Sequence, residues 1–229
     1  MRVAALYDVH ANLPALEAVL AEVPEDATIL LGGDHVYGPF PAETLVRLRG
    51  LGERAVWLRG NCDRELSEPG TGSASLDVLD WVRDRLSREQ IEFLLNLPAT
   101  ATLAVDGLGE VFFCHATPHN DIDFFTDATP EERLAPVFAD VPAATIVCGH
   151  SHLQFKRVVG DKRVINAGSV GMAYEDEPGA YWTLLGPKVE LRRSRFAPAS
   201  LAEAGYPRRW PSTSRAEATS LLEAHALGA

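Results

Sequence analysis

No apolar run in the sequence is long enough to cross a membrane, and the N-terminal apolar stretch is cut off at Asp8. A membrane-spanning helix needs about 20 apolar residues, and a secretory leader needs an apolar region of about 7–15. The expectation is a cytoplasmic protein with no membrane attachment. Cysteine is scarce: Cys62, Cys114 and Cys148 make an odd number with no Cys-x-x-Cys pair. This argues against a disulfide framework and favours a reducing compartment. Basic clusters do not extend beyond short pairs such as Arg192-Arg193 and Arg208-Arg209, and the net charge is -11. Such a surface disfavours non-specific binding of nucleic acid, yet it is compatible with a small anion held by metal ions.

What is present is enough for a real core. Of 229 residues, 46% are hydrophobic and 23% charged. With no repeat and no dividing linker, the expectation is one domain over residues 1–229, ending in a helical extension from about residue 198. Residues 3–7, 28–31 and 55–58 read as buried strands. Between them lie a helix capped near Asn12 and running to about Val23, and another that Pro41 starts and Gly50 or Gly52 stops. This βαβαβ opening predicts a largely parallel sheet with helices outside. Residues 73–86 and 88–97 show helical spacing, with Ser87 and Gln90 forming a capping box. Residues 100–105 and 110–114 read as a hairpin. Further strands are expected at 144–148, 154–159, 163–166, 181–184 and 189–191, then a helix over 215–225. Two packed sheets with helices outside accommodate this order.

Five of these segments run from apolar residues into polar donors at a strand end: Asp8-Val9-His10, Gly33-Asp34, Gly60-Asn61-Cys62-Asp63, His115, and Gly149-His150-Ser151-His152. Strand C-termini in α/β proteins converge on one crevice. The donors gathered there exceed what one divalent ion takes from protein side chains, which points to two. If the chain is extended at Asp8 and His10, period-two alternation puts both side chains on one side. Asp34 has two oxygens and can bridge two cations. Asn61 can offer its carbonyl oxygen. Asp63 reads as a hydrogen-bond acceptor for a metal-binding histidine, or as a cap on its own turn. Cys114 and Cys148 read as small buried filler. The donors are nitrogen and oxygen, which allows Mn²⁺, Fe or Zn²⁺, with Ni²⁺ or Co²⁺ able to substitute in vitro. Two ions about 3.5–4 Å apart can hold an attacking hydroxide and a phosphoryl oxygen together, which suits in-line displacement at phosphorus.

These ordered blocks resemble the calcineurin-like metallophosphoesterase family over roughly the first 170 residues. The resemblance implies a four-layer αββα sandwich and hydrolysis of phosphoester bonds by a metal-bridging hydroxide. It implies Asp8, His10 and His152 on one ion, Asn61, His115 and His150 on the other, and Asp34 bridging. Asn166-Ala167-Gly168-Ser169 is similar to the Asn-Pro-Gly-Ser turn of the small bacterial and archaeal phosphodiesterase branch, with Ala167 in place of proline. Many relatives carry a histidine where this chain has Cys62, and a neutral thiol is a poor substitute for a cation beside phosphoryl oxygens.

Residues 116–127 follow His115 directly and are expected to overhang the site. His119 in this loop is a candidate proton donor or phosphate contact replacing the missing histidine, and Tyr37 a candidate for the opposite wall. Asp121, Asp123 and Asp127, if turned inward, would repel a highly charged ligand and favour a small, singly charged diester. Small phosphodiesters are the first expectation. A phosphomonoesterase, a phosphoprotein phosphatase or a dinucleoside polyphosphate hydrolase is the second, and a non-catalytic scaffold the third.

Overall fold

The computed structural model describes residues 1–197, 206 and 213–228. Two five-stranded mixed sheets lie face to face with helices on their outer sides, an αββα sandwich. The first sheet has the order β10-β9-β1-β2-β3, formed by β1 (Val3–Leu6), β2 (Thr28–Leu31), β3 (Ala55–Trp57), β9 (Ala180–Leu185) and β10 (Val189–Ser194). The second has the order β4-β5-β6-β8-β7, formed by β4 (Thr100–Val105), β5 (Gly109–Cys114), β6 (Thr145–Cys148), β7 (Gln154–Val159) and β8 (Lys162–Ala167). In each sheet the three strands nearest the site run parallel: β1, β2 and β3 in one, β5, β6 and β8 in the other. Antiparallel strands close one edge of the first sheet, at β9 and β10, and both edges of the second, at β4 and β7.

Side-chain alternation decides which layer each residue joins. Val3, Ala5 and Tyr7 turn inward and meet Val111, Phe113, Val147 and Ile165 between the sheets. Ala4 and Leu6 turn outward, where Leu16 and Val19 of α1 (Leu13–Leu20) cover them. Asn12 caps α1 by accepting from Ala15 N at 3.2 Å. On the far side, Leu134 and Phe138 of α6 (Glu131–Phe138) pack on Ile146, Cys148 and Val164. A satellite core joins Leu45 of α2 (Pro41–Arg49), Val78, Leu79 and Val82 of α4 (Leu76–Arg83), and Leu94 of α5 (Arg88–Leu95).

The structure differs from the sequence expectation at two places near the site and at one on the outer face of the second sheet. β1 ends at Leu6, and Asp8, His10 and Ala11 have φ of 53°, 48° and 49°, so the Asp8–His10 segment is a left-handed turn rather than extended chain. Asn61 starts a short helix, α3 (Asn61–Glu65), instead of ending a strand. Helix α6 is an element the sequence reading does not include; Pro130 serves as its N-cap and Pro136 lies inside it. The C-terminal helix α7 (Arg215–Glu223) forms as expected, capped by Ser214. Most of the extension expected from residue 198, namely 198–205 and 207–212, lies outside the described residues.

Candidate metal centre

All five donor-bearing segments come to one end of the two sheets, at the C-terminal ends of β1, β2, β3, β5 and β6. Asp8, His10 and His152 form one triad with ligating atoms within 4.8 Å of one another; Asp34, His115 and His150 form another. His10, Asp34 and Cys62 form a third grouping by the same measure, so Asp34 lies next to both sides of the site. Asn61 joins the second triad through its Oδ1, 3.2 Å from His115 Nε2.

Each carboxylate is held by one oxygen and presents the other. Asp8 Oδ2 accepts from His150 N at 2.9 Å, while Oδ1 lies 3.5 Å from His152 Nε2, 3.9 Å from His115 Nε2 and 4.0 Å from His10 Nε2. Asp34 Oδ1 accepts from Cys62 N at 2.8 Å, while Oδ2 lies 3.6 Å from His115 Nε2 and 3.9 Å from His10 Nε2. The imidazoles are oriented in the same way. His10 Nδ1 donates to Tyr37 O at 3.1 Å and His115 Nδ1 to Gly32 O at 2.8 Å. A carbonyl can only accept, so Nδ1 carries the proton and Nε2 has its lone pair free for a cation.

The electrostatics fit divalent ions. Asp8 Oδ1 and His150 Nε2 are buried with no hydrogen-bond partner among the described residues. His10 Nε2 and His152 Nε2 are 3.0 Å apart, an approach that a shared cation between two lone pairs would favour. Burial, helped by the neighbouring His152 ring, lowers His10 to about 3; burial, helped by His115, lowers His150 to about 3. Both are therefore neutral and ligand-ready at pH 7. Burial raises Asp34 to about 7, against the attraction of His115. Asp8 is also opposed by burial, but the surrounding imidazoles outweigh it and hold its carboxyl below the usual range.

The backbone follows the site. Asp8, His10, Asp34, His150 and His152 all have φ between 48° and 67°. Non-glycine residues adopt this region at a cost of about 1–2 kcal/mol each, and such residues concentrate where function requires them. Close packing fixes the turns. Cβ atoms added at Gly38 and Gly171 would lie 1.9 Å from His10 O and Val9 O. The Asn166–Ser169 turn supports the same segment: Ser169 Oγ donates to Asp8 O at 2.8 Å, and Asn166 Nδ2 to Gly149 O at 2.7 Å.

The remaining candidates are placed differently. Asp63 is buried and receives no hydrogen bond from a donor histidine of the triads; it binds backbone amides, with Oδ2 accepting from Asp34 N at 2.9 Å and Gly60 N at 3.0 Å, and Oδ1 from His35 N at 3.1 Å. Cys62 lines the cavity over the triads, its thiol pushed far up by burial and then by Asp34. Tyr37 lines the same cavity and its hydroxyl accepts from Ser75 N at 2.8 Å. His119 is not brought there. It is exposed and lines a separate depression that borders the donor His115, together with Arg59, Arg64 and Asp121. The acidic residues of the loop are already engaged: Asp121 with Arg64 at 2.8 Å, Asp123 with Asn120 Nδ2 at 2.8 Å, and Asp127 with Arg215 at 2.8 Å. They do not repel a ligand in the way the sequence suggested. Sequence reasoning missed Phe124, whose ring stacks on His150 with centroids 4.3 Å apart and planes 14° apart. Its only signal was an aromatic pair in a polar loop.

A hypothetical protein of Pyrococcus horikoshii has a solved structure that superposes with a TM-score of 0.79 at 20% identity, covering 96% of this chain and 97% of that one. A metallophosphoesterase of Sphaerobacter thermophilus superposes with a TM-score of 0.69 at 26% identity, covering 96% and 98%. An uncharacterized protein of Methanocaldococcus jannaschii is 29% identical over 195 residues, 78% of this chain and 72% of that protein. The calcineurin-like phosphoesterase superfamily domain matches residues 1–185, the stretch that holds every donor of the two triads, and the chain belongs to that superfamily.

Proposed function

We propose that the chain is a dinuclear metal-dependent phosphodiesterase of the small bacterial and archaeal type, acting on small, singly charged diesters in the cytoplasm. One observation carries this reading. Two donor triads adjoin at Asp34 beneath a cavity of about 330 Å³ whose lining includes no lysine or arginine among the described residues. Two divalent cations against the Asp8 and Asp34 carboxylates and a nucleophilic hydroxide would leave about one net positive charge, so a monoester dianion is in excess and sites for it often add an arginine or lysine. A diester monoanion needs none.

In this reading Asp8, His10 and His152 hold one ion, Asn61, His115 and His150 hold the other, and Asp34 is shared. Mn²⁺, Fe or Zn²⁺ fits the nitrogen and oxygen donors. When bound, the ions supply Lewis acidity and a nucleophilic water at neutral pH. The chain's own task is to fix that geometry. Tyr37 O and Gly32 O lock the His10 and His115 rings, and the Cys62 and His150 amides lock the two carboxylates. With a thiol that keeps its proton so firmly, Cys62 is a weak donor to a departing oxygen. Good leaving groups are therefore favoured.

The test is a panel of substrates with metal-reconstituted protein: bis(4-nitrophenyl) phosphate, 4-nitrophenyl phosphate, a phosphopeptide and diadenosine tetraphosphate. The aryl diester is expected to lead in kcat/KM by about tenfold or more. A faster monoester or phosphopeptide would overturn the diester preference. No turnover of any substrate with any of the three metals would overturn the hydrolase reading.

A further inference from the structure

The wall of the cavity facing the triads is rich in aromatic and apolar side chains. Phe124 lies nearly parallel to the His150 ring at 4.3 Å, Tyr174 leans over His152 at 4.8 Å and 33°, and Tyr37 meets His10 edge-on at 5.7 Å. Met172, Leu222 and Tyr206 complete this side. Three donor histidines are thus each backed by an aromatic ring, and Phe124, Met172 and Leu222 add apolar surface beside them.

Two of these residues, Tyr206 and Leu222, come from the C-terminal part of the chain, beyond the stretch that the superfamily domain covers. Helix α7, which carries Leu222, is fastened to the loop that carries Phe124. Glu223 Oε1 accepts from Thr126 Oγ1 at 2.7 Å and also from Thr129 Oγ1. Leu227 N donates to Phe124 O at 2.9 Å. Arg215 pairs with Asp127 and Glu175, both at 2.8 Å. Phe124 and Leu222 are therefore positioned as a unit, and neither is a metal donor.

We propose that this wall is a subsite for a flat, aromatic ester group, and that Phe124 and Leu222 determine specificity by gripping it. The inference rests on the phosphodiester reading and names the substrate class for it: aryl or nucleobase-bearing diesters over alkyl ones. A phosphorus atom at the triads leaves its second ester group among Phe124, Tyr174, Met172 and Leu222. Burying a ring there removes apolar surface from water and offers stacked or edge contacts to three aromatic side chains. An alkyl ester of one or two carbons gains little of either.

The experiment measures binding, independently of turnover. Diphenylphosphinate and dimethylphosphinate are both single anions that mimic a diester and contain no cleavable ester bond. Calorimetry with Mn²⁺-reconstituted protein is expected to show the diphenyl compound binding about tenfold tighter or more. Leu222→Ala and the milder Phe124→Leu should each cut that ratio about threefold or more, while binding dimethylphosphinate as the wild type does. Leu221→Ala, at an exposed position on the same helix, should leave it unchanged. Equal affinity for the two anions, binding of neither, or a ratio that survives both variants would overturn the subsite. Diester turnover without aryl preference would leave the enzymatic reading standing and remove this one; aryl-selective binding without turnover of any phosphoester would do the reverse.

Discussion

Asp63 holds Asp34 through the backbone rather than through a ligand ring: Oδ2 of Asp63 accepts from Asp34 N at 2.9 Å and from Gly60 N at 3.0 Å. One buried carboxylate thus ties the end of β2 to the start of α3, and through them Asp34 to Asn61. Asp63→Asn would turn an amide N–H₂ toward backbone N–H groups. The expected cost is about 2–4 kcal/mol of stability and about 10–100-fold in metal affinity. Thermal melts and metal titration check both. Unchanged values in both would show that Asp63 serves neither purpose.

Protons and metal compete at Asp34. Burial lifts its carboxyl to about 7, with Asp8 and Asp63 adding to the effect and His115 opposing it. His115 is itself raised, because Asp34 and Asp8 outweigh its burial. Below pH 7 the metal-free site therefore holds protons that a cation must displace. Apparent metal affinity should rise from pH 6 to pH 8, by about tenfold per pH unit for each proton released. Calorimetry in buffers of different ionisation heat counts those protons directly. A flat affinity with no proton release would contradict the raised value.

On the proposed function, the Cys62 position is the place to test leaving-group dependence. With the thiol held neutral, Cys62→Ser should keep turnover of an activated aryl diester within about threefold. Cys62→His places an imidazole, which titrates near neutrality, where many relatives carry one, and should raise turnover of poor leaving groups by about tenfold or more. His119→Ala, at an exposed residue outside the cavity, should give a small and uniform loss. The slope of log kcat against leaving-group pKa separates these outcomes. A steep, leaving-group-dependent loss in His119→Ala would return the acid role to that residue.

Two glycines guard the Asp8–His10 turn by lack of space. Gly38→Ala and Gly171→Ala each drive a methyl to 1.9 Å from a backbone oxygen of residues 9–10. Each should destabilise by about 1–3 kcal/mol and weaken metal binding. Gly52→Ala makes a useful contrast: its φ is +57°, but its surroundings are open. It should cost only about 1 kcal/mol and leave the metal site alone. Melting temperatures and metal titration of the three variants decide the matter.

The architecture was legible because its signals are local and repeated. The apolar runs of β1, β2 and β6 end in donors, and Asn12 and Ser87 cap helices as their neighbours require. The donor set was legible for the same reason. What the residues could not disclose was conformation set by packing. Period-two alternation placed Asp8 and His10 side by side on an extended chain, whereas they reach one place through left-handed turns forced by Gly38 and Gly171. The partners of Asp63, Asp121 and Asp127 lie 29, 57 and 88 residues away, beyond any spacing rule. The aromatic pair at Phe124-Phe125 was visible in the loop, but its stacking on His150 was not.

His10 and His152 meet across 142 residues of chain, and the Asp8 carboxylate reaches the His150 amide across the same separation. In folding terms the site has very high contact order, since its first and last donors lie on different sheets. No early intermediate containing only β1, β2 and β3 possesses both members of the His10–His152 pair. Loop closure on this scale is expected to come late in folding. A metal ion would then enter a finished fold instead of templating it. Added metal should lower the unfolding arm of a denaturant chevron and leave the folding arm in place.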